Sequence, residues 1–594
     1  MADSQTQENA QQTPAADAPA PPVPRWLAWA SRRTFPLLAL LGLLLWLPGI
    51  VSLPALDRDE SRFAQSSRQM VQSGDWVDIR LGHVPRYKKP VGIYWLQATA
   101  ASMAGEGRNH IWAYRLPSLL GAIAASWLTV WVALALTGME TAFLAGLLML
   151  GTVLLTAEAT IATTDAVLFA CALAVQGVLL RLYRAARDPE APRPSPRLVM
   201  AGWIACAAGI LVKFPVVPGI AIATILALLG WDWWLRRKTG EGDAPWAWLN
   251  SLKWAKGFFL TLLVISPWLI AITIQSQGAF LEQSLGNDFA GKIAGGQESH
   301  GAWPGYYLLL SALTFWPAIL FVLPGLLQAI ERRAEPGIRF LLAWAAGWWL
   351  VVELVPTKLP HYVLGAYAPL AILAAMFILD PKSVRFLAPA RWIAVAQFAI
   401  GMVLFAAAII ALPLYFGPSA HFDIKAAWPG LAAAGVGTIL ALTGLVMTIL
   451  KKYPPAAIFS LLSLFVFAPA LTMGVAPGLD QIWVTERLKS MVALASEPGD
   501  PAPALAGYQE PSMLFAFSAD VVLGDGAGAA EAVTRRGGLA LVEESERGPF
   551  LARLAELQSD AAVKGELDGF NYSRGRKVHV ILYRVARLKD VNWP

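Results

Sequence analysis

Four short stretches of this sequence hold the side chains whose types and spacing could carry chemistry. The first is acidic, Asp57-Arg58-Asp59-Glu60-Ser61-Arg62. A carboxylate there could take a proton from a hydroxyl or orient it. Asp59 equally suits an N-cap for the helix that follows. The second is Asp165 in Ala162-Thr163-Thr164-Asp165-Ala166, again either a reactive carboxylate or a cap. The third is Arg86-Tyr87-Lys88-Lys89-Pro90, which leads into the aromatic run Val91-Gly92-Ile93-Tyr94-Trp95. Paired lysines before an apolar wall suit a lipid phosphate, and they also suit ordinary lysine snorkelling. The fourth is Thr357-Lys358-Leu359-Pro360-His361-Tyr362, with His300 in a separate loop. A histidine in either place could meet a phosphate, a hydroxyl or a metal, but isolated histidines do not define a metal site.

These stretches lie between long apolar runs. Of 594 residues, 56% are hydrophobic and only 15% charged, and Trp occurs 25 times. A soluble domain carries about 25% charged residues. A bilayer-crossing helix needs roughly 20 apolar residues, and Trp gathers at the membrane interface. About thirteen runs meet that requirement. They are 36–53, 112–136, 141–156, 165–182, 198–212, 216–235, 257–274, 306–329, 340–355, 362–379, 392–416, 430–450 and 456–473. Arg32, Arg33, the arginines of 181–197, Arg236–Lys238, Arg332, Arg333, Lys382, Arg385, Lys451 and Lys452 occupy one alternate set of loops. By the positive-inside rule that set is cytoplasmic, so the N-terminus is inside and the C-terminus outside.

The loop 55–111 breaks the rule. It is expected outside yet carries Arg58, Arg62, Arg68, Arg80, Arg86, Lys88, Lys89 and Arg108. A bound anion would account for that charge. Within it, Phe63, Ala64, Ser67, Met70 and Val71 share one face of an expected surface helix that Gly74 ends, and 91–101 should form a second juxtamembrane helix. Residues 1–33 read as a disordered cytoplasmic tail and 34–475 as the membrane domain. Residues 476–594 read as a small extracytoplasmic α/β domain, with strands at 512–518, 539–542 and 578–585 and a helix at 549–558.

Several functions are excluded. Cys171 and Cys206 both lie in apolar runs, so no disulfide framework is available. The net charge of +6 is spread among membrane loops and implies no nucleic-acid partner. No glycine-rich fingerprint exists for a nucleotide-linked donor.

In this order the motifs resemble a bacterial family, the ArnT-like aminoarabinose transferases of lipid A. More distantly they resemble the protein O-mannosyltransferases, which share the architecture called GT-C. The resemblance rests on Asp59-Glu60-Ser61-Arg62-Phe63-Ala64, Ser73-Gly74-Asp75-Trp76, Lys89-Pro90, Tyr94-Trp95-Leu96-Gln97, Asp165 and Lys358-Leu359-Pro360-His361-Tyr362. It implies a polyprenyl (undecaprenyl) phosphate sugar donor, an outer-face site in the bacterial inner membrane and inversion at the anomeric carbon. It makes Asp59 and Asp165 the catalytic carboxylates, and places Arg62, Arg86, Lys88, Lys89 and Lys358 near the donor phosphate. Glu60, Tyr94, His300, His361 and Tyr362 become donor or acceptor contacts. One position departs: Lys88 stands where aminoarabinose transferases have an acidic residue implicated in metal binding. That change argues against a divalent metal, and against aminoarabinose as the sugar.

The expected activity is therefore glycosyl transfer to lipid A, another envelope glycan or a protein, with no confident cofactor. The alternative is a lipid-linked sugar transporter or flippase. Transporters place ionisable residues near the midplane beside broken helices, whereas here they cluster at one surface.

Overall fold

A computed structural model describes residues 24–240, 244–284, 301–418 and 424–586. Among the described residues, eleven helices are long and apolar enough to cross a bilayer. A bent pair, Met139–Leu150 and Val153–Thr160, meets at 62°; taken as one broken span, with Ala162 just beyond it bonded to Glu60 of the first loop, it makes a twelfth crossing. The expected run at 306–329 is instead two shorter helices, Tyr306–Thr314 and Ile319–Glu331, separated at Pro317, which has no N–H to continue a helix. Contacts at its ends place this pair. At one end Gly305 N donates to Glu353 and Tyr307 Oη to Leu359 O; at the other, Gln328 Nε2 donates to Asp380 O. The pair thus runs the full depth of the bundle as a broken thirteenth crossing. The chain is a multi-pass membrane protein.

The first loop forms the two expected helices, Asp59–Ser73 and Gly92–Met103, joined by the short hairpin β1 (Arg80–Leu81) and β2 (Val84–Pro85). Gly74 ends the first helix at φ 73°, a left-handed position that favours glycine. The face that bears Phe63, Ala64, Ser67 and Met70 is buried, but much of its cover is protein: the second juxtamembrane helix, and the C-terminal domain through Phe515.

That domain holds a five-stranded sheet. The strands are β3 (Ala504–Ala506), β4 (Val522–Gly524), β5 (Gly538–Glu543), β6 (Ala561–Asn571) and β7 (Arg576–Val585), in the order β4-β3-β5-β7-β6. β3 pairs parallel with β4 and β5, while β7 pairs antiparallel with β5 and β6. Alternation along the strands makes two cores. Leu505, Leu541 and Leu582 meet the helices Val484–Ala495 and Pro511–Ala516 on one face; Ala506, Val542 and Tyr583 meet Gly526–Arg536 and Glu544–Glu556 on the other. The strand expected at 512–518 is instead a short helix, Pro511–Ala516. Pro511 occupies its first turn, where a missing N–H costs nothing. The expected helix at 549–558 begins earlier, at Glu544.

The C-terminal domain rests on the first loop. Arg68 donates to Leu514 O and Phe515 O, and Tyr114 packs edge-on against Phe515 with ring centres 5.6 Å apart. Both therefore lie at the same end of the bundle. That placement requires an odd number of crossings in all, which the broken Tyr306–Glu331 pair supplies.

Candidate active site

The end of the bundle that meets the first loop opens into a cleft of about 320 Å³. Asp59, Lys89, Glu158, Asp165, Lys213 and His361 all line it. They come from six separate elements of the chain, brought together by tight packing. Gly92 shows how tight. A Cβ there would lie 2.8 Å from the Leu211 backbone, so only glycine lets the Lys89-Pro90 turn sit against the end of the helix that bears Lys213.

Asp165 opens its helix but caps nothing. Thr164 is the N-cap residue, and no side-chain cap bond forms. Instead Asp165 Oδ1 accepts from Lys213 Nζ at 2.8 Å, and Oδ2 accepts from Thr164 Oγ1 at 2.8 Å. His361 lies within the same group. Its Nε2 is 3.4 Å from Lys213 Nζ and 3.9 Å from Asp165, and its Nδ1 is 3.8 Å from Glu158. Thr163 Oγ1 donates to Glu158 at 2.8 Å. Acids and bases this close cancel much of one another's burial cost.

Asp59 stands across the cleft, in the first turn of its helix and exposed to the opening. It too makes no cap bond. Burial by the cleft walls pushes its carboxyl up, but the charges of Arg86 and Arg62 outweigh that and hold it below its ordinary value. Arg62 also donates to Asp59 Oδ1 at 3.2 Å. Arg86 is buried, with its guanidinium 5.3 Å from the Phe63 ring centre.

Below the polar cleft runs a second, apolar cavity of about 300 Å³. Its walls include Leu168, Phe169, Ile220, Trp348 and Val352, and Lys88 stands at its polar end. Lys89, Asp165, Lys213, His361 and Tyr362 line both cavities. A charged head and a long apolar tail would fit such a joined space.

Of the residues named from sequence, Glu60 borders the cleft but is taken up by structural partners, and Tyr94 and Lys358 are placed elsewhere. Glu60 is not free to touch a ligand. Oε1 accepts from Arg115 Nε at 2.8 Å and Ala162 N at 2.7 Å; Oε2 accepts from Leu56 N and the Arg115 guanidinium, each at 2.8 Å. Arg115 also donates to Ile50 O, Leu53 O and Pro54 O, so this pair staples the first loop to the bundle. Tyr94 is fully buried, packed against Phe63, because its helix turns that face inward. Lys358 points away from the cleft and donates to the terminal carbonyls of Val352 (2.9 Å) and Glu353 (2.5 Å). Cations favour helix C-termini for this reason. His300 lies outside the described residues.

Lys213 and Glu158 were missed in the sequence, although a signal was there. Each is a lone ionisable residue in an apolar run, and such residues are rarely idle. Among the described residues no three His, Cys, Asp or Glu side chains converge as a metal site. The Lys213 ammonium would repel a dication placed beside Asp165 and His361. These residues therefore do not fit a metal.

Comparison with known proteins places this architecture. The solved structure of ArnT from Cupriavidus metallidurans bound to undecaprenyl phosphate superposes with a TM-score of 0.70, covering 94% of this chain and 98% of that one at 18% identity. The chain has the ArnT-like GT-C fold. Archaeal oligosaccharyltransferase AglB from Archaeoglobus fulgidus matches the fold more loosely, with a TM-score of 0.51 and 11% identity over 96% of this chain and 75% of that one. The family model of dolichyl-phosphate-mannose-protein mannosyltransferases matches residues 32–277. The undecaprenyl phosphate-alpha-4-amino-4-deoxy-L-arabinose arabinosyl transferase of Edwardsiella ictaluri is 28% identical over 344 residues, 57% of this chain and 56% of that protein. Its counterpart in Aeromonas salmonicida is 27% identical over 347 residues, 58% of this chain and 59% of its own. The matched stretch thus spans little more than half of these relatives. In this ArnT-like fold the part of the chain that holds the cleft residues from Asp59 to Lys213 falls within the mannosyltransferase family match.

Proposed function

We propose that the protein transfers a glycosyl group from a polyprenyl phosphate carrier to an acceptor at the extracytoplasmic face of the bacterial inner membrane. One observation carries this reading: the polar cleft and the apolar cavity share Lys89, Asp165, Lys213, His361 and Tyr362. A polyprenyl chain occupies the apolar cavity, and its phosphate meets Lys89 and Lys213. Lys88, Arg86 and Arg62 add positive field around them. The relatives named for undecaprenyl phosphate-linked donors, and the ArnT structure that holds undecaprenyl phosphate, support the same carrier.

In this reaction the bond between the anomeric carbon and the phosphate oxygen breaks, and an acceptor oxygen bonds to that carbon from the opposite face. The carrier phosphate leaves with the bonding electron pair. Lysine charge placed where that negative charge develops is the largest available source of acceleration. Asp165 orients Lys213 through their ion pair. Asp59 faces the acceptor side. Arg86 and Arg62 hold its carboxyl below the ordinary carboxylate value, so it is a weak base and acts by orienting the acceptor and stabilising positive charge on the sugar. That fits an acceptor oxygen that needs no deprotonation, such as a phosphate, better than an alcohol.

The loops rich in Arg and Lys gather at the opposite end of the bundle, and by the positive-inside rule this supports a cleft that faces outside. Mass spectrometry of lipid A and envelope glycans, from cells with and without the protein, tests the reading. A missing sugar mass names sugar and acceptor together. Identical spectra, joined with no transfer from purified polyprenyl phosphate sugars, would reject it.

A further inference from the structure

The acidic stretch of the first loop is held by the C-terminal domain, and that contact reaches to within two residues of Asp59. Asp57 N donates to Tyr572 Oη at 2.6 Å. Arg58 donates through its guanidinium to Ser573 O at 2.6 Å. Ser512 Oγ donates to the Asp57 carboxylate. Tyr572 and Ser573 form the turn between β6 and β7. That turn is itself fixed: Glu510 accepts from Asn571 Nδ2 at 2.8 Å, Arg574 Nε at 3.2 Å and Ser573 Oγ at 3.3 Å. Glu510 and Asn571 are both buried.

The backbone between these contacts and Asp59 is strained. Arg58 has φ 62°, a left-handed conformation that a residue with a side chain adopts only when its surroundings impose it. The helix then begins at Asp59 with no side-chain cap at its N-terminus. Two of the ordinary local devices that would fix the direction of the first turn, a cap and a relaxed entry, are therefore missing. Glu60 and Ser61 hold Leu56, and the turn from the C-terminal domain holds the two residues between Leu56 and Asp59.

We propose that Tyr572, with Ser512 and the 571–574 turn, is a positioning residue that holds the entry to the Asp59 helix and so aims the Asp59 carboxylate into the cleft. The C-terminal domain on this view completes the reaction centre without touching substrate. This rests on the transfer reading for its kinetic consequence, but the geometric part does not. Lys89 and Lys213 sit on other elements, so loss of the contact should leave donor binding alone and slow the chemical step.

The test uses the purified full chain with Tyr572→Phe and Ser512→Ala. Phe550→Leu serves as the control, because Phe550 lies in the core on the far side of the sheet and weakens the domain without touching the contact. Two readouts are taken. The first is hydrogen exchange at the amides of 56–62, which needs no activity. Exchange there should rise at least about ten-fold in Tyr572→Phe and stay near wild type in Phe550→Leu. The second is steady-state transfer, in which Tyr572→Phe should lower kcat about ten-fold and leave the donor KM within about two-fold. Unchanged exchange at 56–62 would overturn the proposal whatever the activity. So would a wild-type kcat in Tyr572→Phe, or a loss that Phe550→Leu reproduces in full. An inactive wild type would count against the transfer reading alone, with the exchange result still deciding the contact.

Discussion

The bundle buries charge at both ends, and the two ends differ in what surrounds it. At the end opposite the cleft, Asp232 accepts from Arg339 at 3.0 Å and from Tyr183 Oη at 2.8 Å, and it also pairs with Arg187. Arg187 further lies 3.9 Å from the Tyr183 ring centre. The carboxylate is enclosed by donors. At the cleft end, Asp165, Lys213, Glu158 and His361 also pair, but they line an open volume that continues into an apolar cavity. Buried charge alone therefore does not mark a reactive site in a membrane bundle. Paired charge that faces empty space does, because a ligand can exchange for one of the existing partners.

The comparison breaks first at the acids. Asp59→Asn should leave a folded protein and remove most transfer, a fall of about a hundred-fold or more in kcat. Asp165→Asn should impair it as well, since Lys213 then loses its only close carboxylate at hydrogen-bond distance among the described residues. Full activity in a folded Asp59→Asn protein would reduce Asp59 to a surface carboxylate. The matching change at the other end, Asp232→Asn, leaves two guanidiniums with a weaker partner. It should lower thermal stability while kcat/KM per folded molecule stays within about two-fold. Equal loss of activity at both ends would erase the distinction between them.

Next come the cations. A charge-assisted hydrogen bond to phosphate contributes about 1.5–3 kcal/mol. Lys89→Ala should therefore weaken donor use about ten- to a hundred-fold, read from the donor dependence of transfer. Lys89→Arg should retain part of it, with charge kept and geometry changed. Lys358→Ala should act differently. Lys358 caps helix carbonyls, so its loss should appear in stability before donor KM. A donor defect in Lys358→Ala as large as that in Lys89→Ala would contradict the placement of Lys358.

How much of this was legible in the sequence follows from the range of the interactions. Most of the apolar runs, the two juxtamembrane helices and the position of Gly74 are local patterns and appear where expected; the runs at 141–156 and 306–329 are each broken into two helices. Asp59, Asp165, Lys89 and Tyr362 were also visible, as polar residues at the ends of apolar segments. Glu60 and Lys358 were misread because a residue's type does not tell which partner its side chain finds. Glu60 meets Arg115, 55 positions away, and Lys358 turns back on its own preceding helix. Lys213 was overlooked as one charge at the close of an apolar run, since the partner that reveals it, Asp165, is 48 residues earlier. The short strands β3 and β4 have three residues each, too few for alternation to show.

The smallest expected effect concerns pH at the contact between the first loop and the C-terminal domain. Burial pushes the Asp57 carboxyl up to about 7 from an ordinary 3.8; nearby Glu510 adds to the rise, while Ser512 and Arg58 oppose it. Tyr508 and Tyr572 are the other titratable groups facing it, and burial raises both further above their already high ordinary values, so neither titrates in this range. Asp59, held below its ordinary value, is ionised throughout. The sign follows from proton uptake. Between about pH 4 and 7 the docked state binds a proton that an exposed Asp57 would have released, so docking is strongest below that window. It weakens as pH rises through the window and levels off above 7. Hydrogen exchange of the 56–62 amides should accordingly increase from pH 5 to pH 7, after correction for the intrinsic pH dependence of exchange, and then flatten. Asp57→Asn removes the titrating group and should abolish the slope while keeping an acceptor for Ser512. A slope that persists in Asp57→Asn would assign the dependence to another group and leave the contact insensitive to Asp57 ionisation.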